Sequence, residues 1–220
     1  MRPKPPPRAL RYWRKVETPE MATQFDKIAA TYDATWTNSK KGRLQRDIVW
    51  GEIDSLFQPR EGVLDLGCGT GEDALHLMGK GVWVHAIDAS AEMVRIARRR
   101  GVNAEVLRVE KITQLATVYD GALSNFGALN CVANLAHTGE QLARLLRAGA
   151  KLAICIMPPL CWPEVLRLNF RRWREHNSWH GQPVYYPSRR EVLRAFPEFR
   201  LLRERSIAWG DHRLYIFERK

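Results

Sequence analysis

The stretch VLDLGCGTGEDALHL, residues 63–77, decides the fold of this chain. Its first four residues predict a strand, glycines follow at positions 67, 69 and 71, and a helical pattern begins directly after them. Glycines let a ligand approach the backbone closely, and the start of a helix offers unpaired N–H groups. The stretch therefore predicts a strand, a tight turn and a helix that form a nucleotide-type binding site.

The glycine spacing and the nearby acids narrow the choice of ligand. A dinucleotide fingerprint has the spacing GxGxxG, whereas this turn has GxGxG, and no Gly-Lys-Ser or Gly-Lys-Thr of a P-loop follows it. Asp65, Glu72 and Asp73 place three carboxylates around the turn. These charges would repel a pyrophosphate, but they suit a ligand that carries an ammonium and a sulfonium group.

Polar residues also follow the next three predicted strands. Asp88 lies seventeen residues after Gly71, where an acid accepts hydrogen bonds from both hydroxyls of a ribose. Glu110 follows the third strand, where a carboxylate can accept from an adenine amino group, and Asn125 begins the segment NFGALN after the fourth. Open α/β sheets bind ligands at the carboxyl ends of their strands, so these residues predict the floor and walls of one site.

The rest of the chain predicts an α/β fold, a doubly wound and mostly parallel sheet with helices on both faces, because strand and helix patterns alternate. Strands are predicted at 63–66, 82–87, 104–108, 119–124 and 151–157, with helices at 72–79, 90–100, 128–136 and 138–147. Helices are also predicted from about Met21, at 44–57, at 163–175 and from Ser188 to Phe196, and a terminal hairpin at 199–208 and 212–218.

The ordered set FDKIAATYD (25–33), VLDLGCGTG (63–71), Asp88 and YDGALSNFGALN (119–130) resembles the class I S-adenosylmethionine-dependent methyltransferases. The likeness is greatest to the small-molecule branch with the ubiquinone/menaquinone C-methyltransferases. It implies a Rossmann-like, seven-stranded sheet whose last strand is antiparallel, and S-adenosyl-L-methionine as cofactor. The chain departs from the family in one place, since Val109-Glu110 replaces the usual Gly-Asp pair after the third strand.

The resemblance also implies roles for single residues. The methionine part of the cofactor is expected along Asp65, Gly67 and Gly69, the ribose at Asp88, and the adenine beside Ala89 and Met93. Tyr32 is expected to close over the methionine end. The whole set expected to bind the cofactor is Tyr32, Asp65, Gly67, Cys68, Gly69, Gly71, Asp88, Ala89, Met93, Glu110 and Asn125.

Charge and composition limit the remaining possibilities. The 220 residues carry a net charge of +11, of which six positive charges lie in residues 1–15 and a net +6 in residues 160–220, so residues 16–159 are close to neutral. No apolar run is long enough for a spanning helix and no secretory signal is present, which predicts a cytoplasmic protein. The four cysteines show no paired spacing for a metal, so no metal site is predicted.

The chain ends suggest a simple domain organisation. Residues 1–20 contain five prolines and no apolar period, which predicts a disordered basic tail. Because structure-like sequence begins at Met21, we hypothesise that this residue is the native start. Residues 21–220 are predicted to form a single methyltransferase domain, with residues 160–187 as a lid or insert on the acceptor side.

The acceptor side is predicted from aromatic residues and one histidine. Phe25, Trp36, Trp179, Tyr185 and Tyr186 form the expected wall for a planar or acidic small-molecule acceptor. His180 is the candidate general base for a phenol or enol acceptor. The oligomeric state and the acceptor atom are left open. Two alternatives remain. The chain could be an RNA or protein methyltransferase that uses the basic termini, so nucleic acid stays a possible partner. It could also be a non-catalytic cofactor-binding protein.

Overall fold

A computed structural model of the protein describes residues 23–159, 178–179 and 182–220. The predicted tail at 1–20, the proposed start at Met21, the predicted helix at 163–175 and His180 lie outside these residues. The predicted lid at 160–187 is described in part, through the short strands β6 (Ser178–Trp179) and β7 (Gln182–Pro183), which pair with each other, and the segment that follows them.

A seven-stranded sheet forms the centre of the fold, with its strands in the order β3-β2-β1-β4-β5-β9-β8. Its strands are β1 (Gly62–Leu66), β2 (Trp83–Asp88), β3 (Ala104–Val106), β4 (Tyr119–Ser124), β5 (Leu146–Ile156), β8 (Phe199–Ile207) and β9 (His212–Arg219). The first five pair in parallel, whereas β9 pairs antiparallel with both β5 and β8. The last strand alone therefore runs against the other six, which confirms the predicted fold class and topology.

Helices cover both faces of this sheet. They are α1 (Ala29–Tyr32), α2 (Lys40–Ile53), α3 (Glu72–Gly79), α4 (Ala91–Arg99), α5 (Leu135–Leu145) and α6 (Arg189–Ala195). The described connections also contain one π-helical turn, at Asp33–Thr37, and short turns of 3-10 helix at Gln24–Lys27, Val109–Gln114, Ala128–Cys131 and Ala208–Gly210. Ser188 caps α6 by accepting the N–H of Glu191 at 3.3 Å, as the sequence predicted.

Several predicted boundaries are wrong, and caps explain the largest errors. The helix predicted at 44–57 is α2 at 40–53, because the Ser39 side chain accepts the N–H of Gly42 and so starts the helix earlier. The helix predicted at 128–136 is a short 3-10 turn, after which Asn134 caps a separate helix. The helix predicted from Met21 is, over the described residues, a series of short turns in different helical geometries.

Two apolar layers, one on each face of the sheet, place the site. Leu64 and Leu66 of β1 pack in the layer that contains α5 and α6, and Val63 packs in the layer that contains α2, α3 and α4. Because side chains alternate along a strand, Asp65 points to the same face as Val63. The alternation of side chains along β1 thus places the buried carboxylate of Asp65 beneath α2 and α3.

Neither a metal-binding group nor a membrane-crossing helix occurs in the part of the chain that the structure describes. No cluster of three or more histidine, cysteine or acidic side chains there could hold a metal ion, and no helix there is long and apolar enough to cross a bilayer. Cys68, Cys131 and Cys155 carry free thiols.

His212 makes the stability of the folded chain dependent on pH. Burial lowers its pKa to about 4 from the usual 6.5, and Nδ1 has no hydrogen-bond partner among the described residues. Between these values the unfolded chain binds a proton that the folded chain does not, so stability falls as pH falls. We expect His212 to account for a loss of about 2 kcal/mol between pH 7 and pH 5.

Urea unfolding at both pH values measures this loss. The replacement His212→Gln is expected to flatten the pH dependence by that amount. Equal pH dependence in the wild type and in His212→Gln would contradict the assignment.

Candidate functional site

A pocket lies at the carboxyl ends of β1, β2, β3 and β4, where the sequence analysis predicted one. It is enclosed by the glycine turn, the ends of the strands and the helical segment at 23–37. The lining residues are Thr23, Phe25, Tyr32, Arg46, Gly67, Cys68, Gly69, Thr70, Glu72, Asp73, Asp88, Ala89, Met93, Arg108, Val109, Glu110, Asn125, Phe126, Gly127, Ala128, Cys131 and Val132.

The glycine turn forms the floor of this pocket. Gly67, Gly69 and Gly71 have φ angles of +74°, +54° and +87°, which side-chain-bearing residues rarely adopt. At Gly67 a Cβ atom would lie 2.2 Å from the Cβ of Ala128, so a side chain there has no room. At Gly69 a Cβ would meet nothing within 4 Å, since it would project into open space. The turn thus needs the first glycine for packing and the second for conformation.

Asp88 joins the glycine turn to the end of β2. One carboxylate oxygen accepts the N–H of Gly69 at 2.8 Å, and the other accepts the N–H of Ser90 at 2.8 Å. Burial raises the pKa of Asp88, and these backbone hydrogen bonds oppose the rise. Asp88 lines the pocket, so its carboxylate can also accept a hydrogen bond from a ligand hydroxyl.

The sequence analysis expected all three acids of the site to suit a cationic ligand, but two of them are paired with arginines of the protein. Glu72 forms an ion pair with Arg100, and Asp73 pairs with Arg46, whose Nε donates to it at 3.1 Å. Oδ2 of Asp65 has no hydrogen-bond partner among the described residues. Burial, and then the nearby Asp73 and Asp88, hold the pKa of Asp65 well above its usual range. Such a carboxyl gains most from a cationic group entering the pocket.

The helical segment at 23–37 is fastened across the pocket by two acids. Asp26 accepts the hydroxyl of Ser90 at 2.6 Å and the N–H of Glu92 at 3.0 Å, at the start of α4. Asp33 accepts the hydroxyl of Thr70 at 2.6 Å, in the glycine turn. These bonds bring Phe25 and Tyr32 into the pocket wall, and burial raises the pKa of the Tyr32 hydroxyl.

Most residues of the predicted cofactor set line one pocket. Asp65 lies beneath it, and Gly71 caps α3 with its Cα facing Ala97 and Val102. Of the predicted acceptor residues, Phe25 lines the pocket and Trp36 does not. Trp179 belongs to β6, and His180 lies outside the described residues.

Arg46 and Phe126 are site residues that the sequence analysis missed. The Arg46 guanidinium lies 5.0 Å from the centre of the Phe126 ring, and its Nη1 is buried with no partner among the described residues. A signal for Arg46 was present, because it precedes Val49 and Ile53 by three and seven residues and so lies on the buried face of α2. Phe126, at φ +50°, had no comparable signal.

A second groove adjoins the pocket at Val132, which lines both. Its wall includes Tyr185 and Tyr186, two predicted acceptor residues, together with Leu129 and Leu135. Asn130 holds this wall in place, because its Nδ2 donates to the carbonyls of Tyr185 at 2.6 Å and Met157 at 3.0 Å. The two tyrosines thus lie beside the pocket and not in it.

Comparison with known proteins identifies relatives of this chain. A family model described as "Methyltransferase domain" matches residues 63–152. The demethylmenaquinone methyltransferase of Mycolicibacterium gilvum strain PYR-GCK is 32% identical over 213 residues, covering 88% of each chain. That of Mycobacterium sp. strain KMS is 30% identical over 139 residues, 62% of this chain and 59% of the relative, so this match spans about three fifths of the relative's length.

Solved structures share the fold at low sequence identity. A geranyl diphosphate C-methyltransferase from Streptomyces coelicolor A3(2), solved with Mg2+, geranyl diphosphate and S-adenosyl-L-homocysteine, has a TM-score of 0.66 at 16% identity, covering 93% of this chain and 86% of that one. An S-adenosylmethionine-dependent methyltransferase structure from Listeria monocytogenes has a TM-score of 0.66 at 16% identity, covering 81% and 99%.

The two glycines at the floor of the pocket offer a matched test of its packing. A left-handed backbone costs alanine about 1 to 2 kcal/mol, and overpacking adds about 1 to 3 kcal/mol where no room exists. We expect Gly67→Ala to lower the free energy of unfolding by the sum of both amounts, and Gly69→Ala to lower it by the first amount alone. Urea unfolding measures both losses. Equal losses for the two variants would show that the contact with Ala128 relaxes without cost.

Proposed function

This chain belongs to the class I S-adenosylmethionine-dependent methyltransferases, in the branch of the menaquinone methyltransferases, and from this premise we propose that it methylates a small-molecule acceptor. The cofactor of the family is S-adenosylmethionine, as the sequence predicted. One observation carries the proposal: Nη1 of Arg46 and Oδ2 of Asp65 are buried without hydrogen-bond partners among the described residues, and Asp88 lines the same pocket as Arg46.

The charges of the site fit the methionine part of the cofactor. Arg46 offers an unpartnered Nη1 and Asp65 an unpartnered Oδ2 among the described residues. A buried charged group without a partner is costly. The cofactor carries one carboxylate, one ammonium and one sulfonium, so it would supply an anion for Arg46 and cations for the Asp65 side of the pocket.

The other end of the pocket fits an adenosine. The Asp88 carboxylate lines this end of the pocket, where it would accept hydrogen bonds from the ribose hydroxyls. Ala89, Met93 and Val109 provide apolar surfaces for a flat base, and Glu110 stands at the edge where an amino group can donate to it.

The proposed reaction is an in-line displacement at the methyl carbon. The cofactor would supply a methyl group on its sulfonium, so that the bond from the methyl carbon to sulfur would break as the bond to the acceptor forms, leaving a neutral thioether. Phe25, Tyr32 and Phe126 cover the pocket and exclude water, so positioning and desolvation account for much of the acceleration. No histidine lines the pocket within the described residues, and His180 remains the predicted base.

The adjoining groove supports an apolar or planar acceptor. Its described wall is formed by aliphatic side chains and two tyrosines, with Arg194 and Glu191 at one side. The relatives are named for demethylmenaquinone, and a quinol of this type has a flat ring and a long apolar tail. We propose that the acceptor ring is presented at Val132 and that the apolar part lies along the groove.

Cofactor binding is tested by Asp88→Asn. The substitution removes the charge that the ribose hydroxyls meet, and hydrogen bonds to charged groups contribute about 1.5 to 3 kcal/mol, so affinity for S-adenosylmethionine should fall about tenfold or more. Isothermal titration calorimetry measures the change. Glu92→Gln, a half-exposed side chain of α4 that does not line the pocket, is the control with unchanged affinity. Undiminished binding by Asp88→Asn would contradict the proposed ribose site.

Acceptor class is tested by label transfer from methyl-labelled S-adenosylmethionine. Label is expected in the organic phase with reduced demethylmenaquinone, and label in RNA or protein would favour the alternative functions. Ala136→Trp, an exposed residue lining the groove, should raise the KM for the acceptor without changing cofactor affinity. Ala116→Trp, at the amino ends of the strands, is the matched control. An unchanged KM in Ala136→Trp would remove the groove from the acceptor site.

A further inference from the structure

We propose that Trp50 is a positioning residue for the cofactor carboxylate, acting through Asp73 and Arg46. This inference rests on the proposed function and deepens it. Trp50 is not among the residues that line the described pocket. Its effect on a ligand would therefore pass through the hydrogen bonds that connect it to the pocket wall.

Trp50 and Arg46 share one acceptor. They lie four residues apart on α2, so their side chains emerge from the same face of the helix. Both donate to Oδ1 of Asp73, in the first turn of α3, from Trp50 Nε1 at 2.7 Å and from Arg46 Nε at 3.1 Å. The shorter bond comes from the rigid indole, which fixes where the Asp73 oxygen stands.

Asp73 and Phe126 together determine the direction of the guanidinium. Nε of Arg46 is held by Asp73, and its Cζ lies over the Phe126 ring, 5.0 Å from the ring centre. Nη1 is left buried and without a partner among the described residues. A guanidinium recognises a carboxylate through directed N–H groups, so a small rotation about these contacts would misdirect Nη1.

The indole is itself held in place from its other side. His76 stacks on Trp50 with ring centroids 3.9 Å apart and an interplanar angle of 8°, and Nε2 of His76 lies 2.6 Å from Oδ1 of Asp54. A phenylalanine at position 50 would keep an aromatic ring against His76 and lose the N–H. Trp50→Phe thus removes the bond to Asp73 with little change in packing.

A pair of ligands isolates the carboxylate. S-adenosylmethionine and its decarboxylated form share the adenosine, the sulfonium and the amine, and differ in the carboxylate alone. We expect Trp50→Phe to weaken binding of S-adenosylmethionine about three- to tenfold, less than the loss of a direct hydrogen bond to a charged group, because Trp50 acts on the ligand only through Asp73 and Arg46. Binding of the decarboxylated form should change less than about twofold, because no group that it contacts depends on the bond. Calorimetry measures both constants.

Three further proteins make the outcome decisive. Trp83→Phe, on β2 at the opposite end of the sheet, should change neither constant. Arg46→Ala should lose the preference for S-adenosylmethionine over the decarboxylated form, and adding Trp50→Phe to it should have no further effect. Thermal unfolding verifies that every variant is folded.

The possible failures are distinguishable. If neither ligand binds the wild type, the proposed function fails and this inference fails with it. If both ligands bind, and Trp50→Phe either leaves both constants unchanged or weakens both equally, the positioning role is overturned while the cofactor site stands.

Discussion

The site depends on the hydrogen bonds that the Asp88 carboxylate accepts from the backbone of Gly69 and Ser90. They hold the turn after β1 against the end of β2, and the pocket is the space between them. Ser90 in turn donates its hydroxyl to Asp26, so the segment that closes the pocket is attached to the same corner. One carboxylate thus connects the turn after β1, the end of β2 and the start of α4, and through Ser90 it connects them to the segment that covers the site.

A second constraint is the distribution of charge inside the pocket. The net charge of +11 lies mainly at the chain ends, so it does not describe the charges inside the pocket. Glu72 and Asp73 are matched by arginines of the protein, while Asp65 and the Nη1 group of Arg46 lack partners among the described residues. In the proposed function, a zwitterionic ligand would supply partners for both of these groups. This arrangement is consistent with a cofactor that carries a carboxylate beside an ammonium and a sulfonium.

The fold and much of the candidate site could be predicted because their signals are local. The glycine turn and the strands of the sheet were readable from spacing and alternation along the chain, and nine residues of the predicted cofactor set line the pocket. The helix boundaries at Ser39 and Asn134 could not be predicted in this way, because several nearby residues could serve as caps. The sequence analysis placed Tyr185 and Tyr186 in the acceptor wall, but they line an adjoining groove, where Asn130 bonds to the carbonyl of Tyr185.

The sequence by itself determined the order of strands and helices, the glycine turn and the acid at the end of β2, because each depends on residues close together in the chain. The tertiary structure alone decided which charges remain free. Arg46 and Asp73 are 27 residues apart, and their pairing follows from how α2 and α3 pack on the sheet. Whether a carboxylate faces a ligand or an arginine depends on that packing. A local sequence pattern therefore does not predict it.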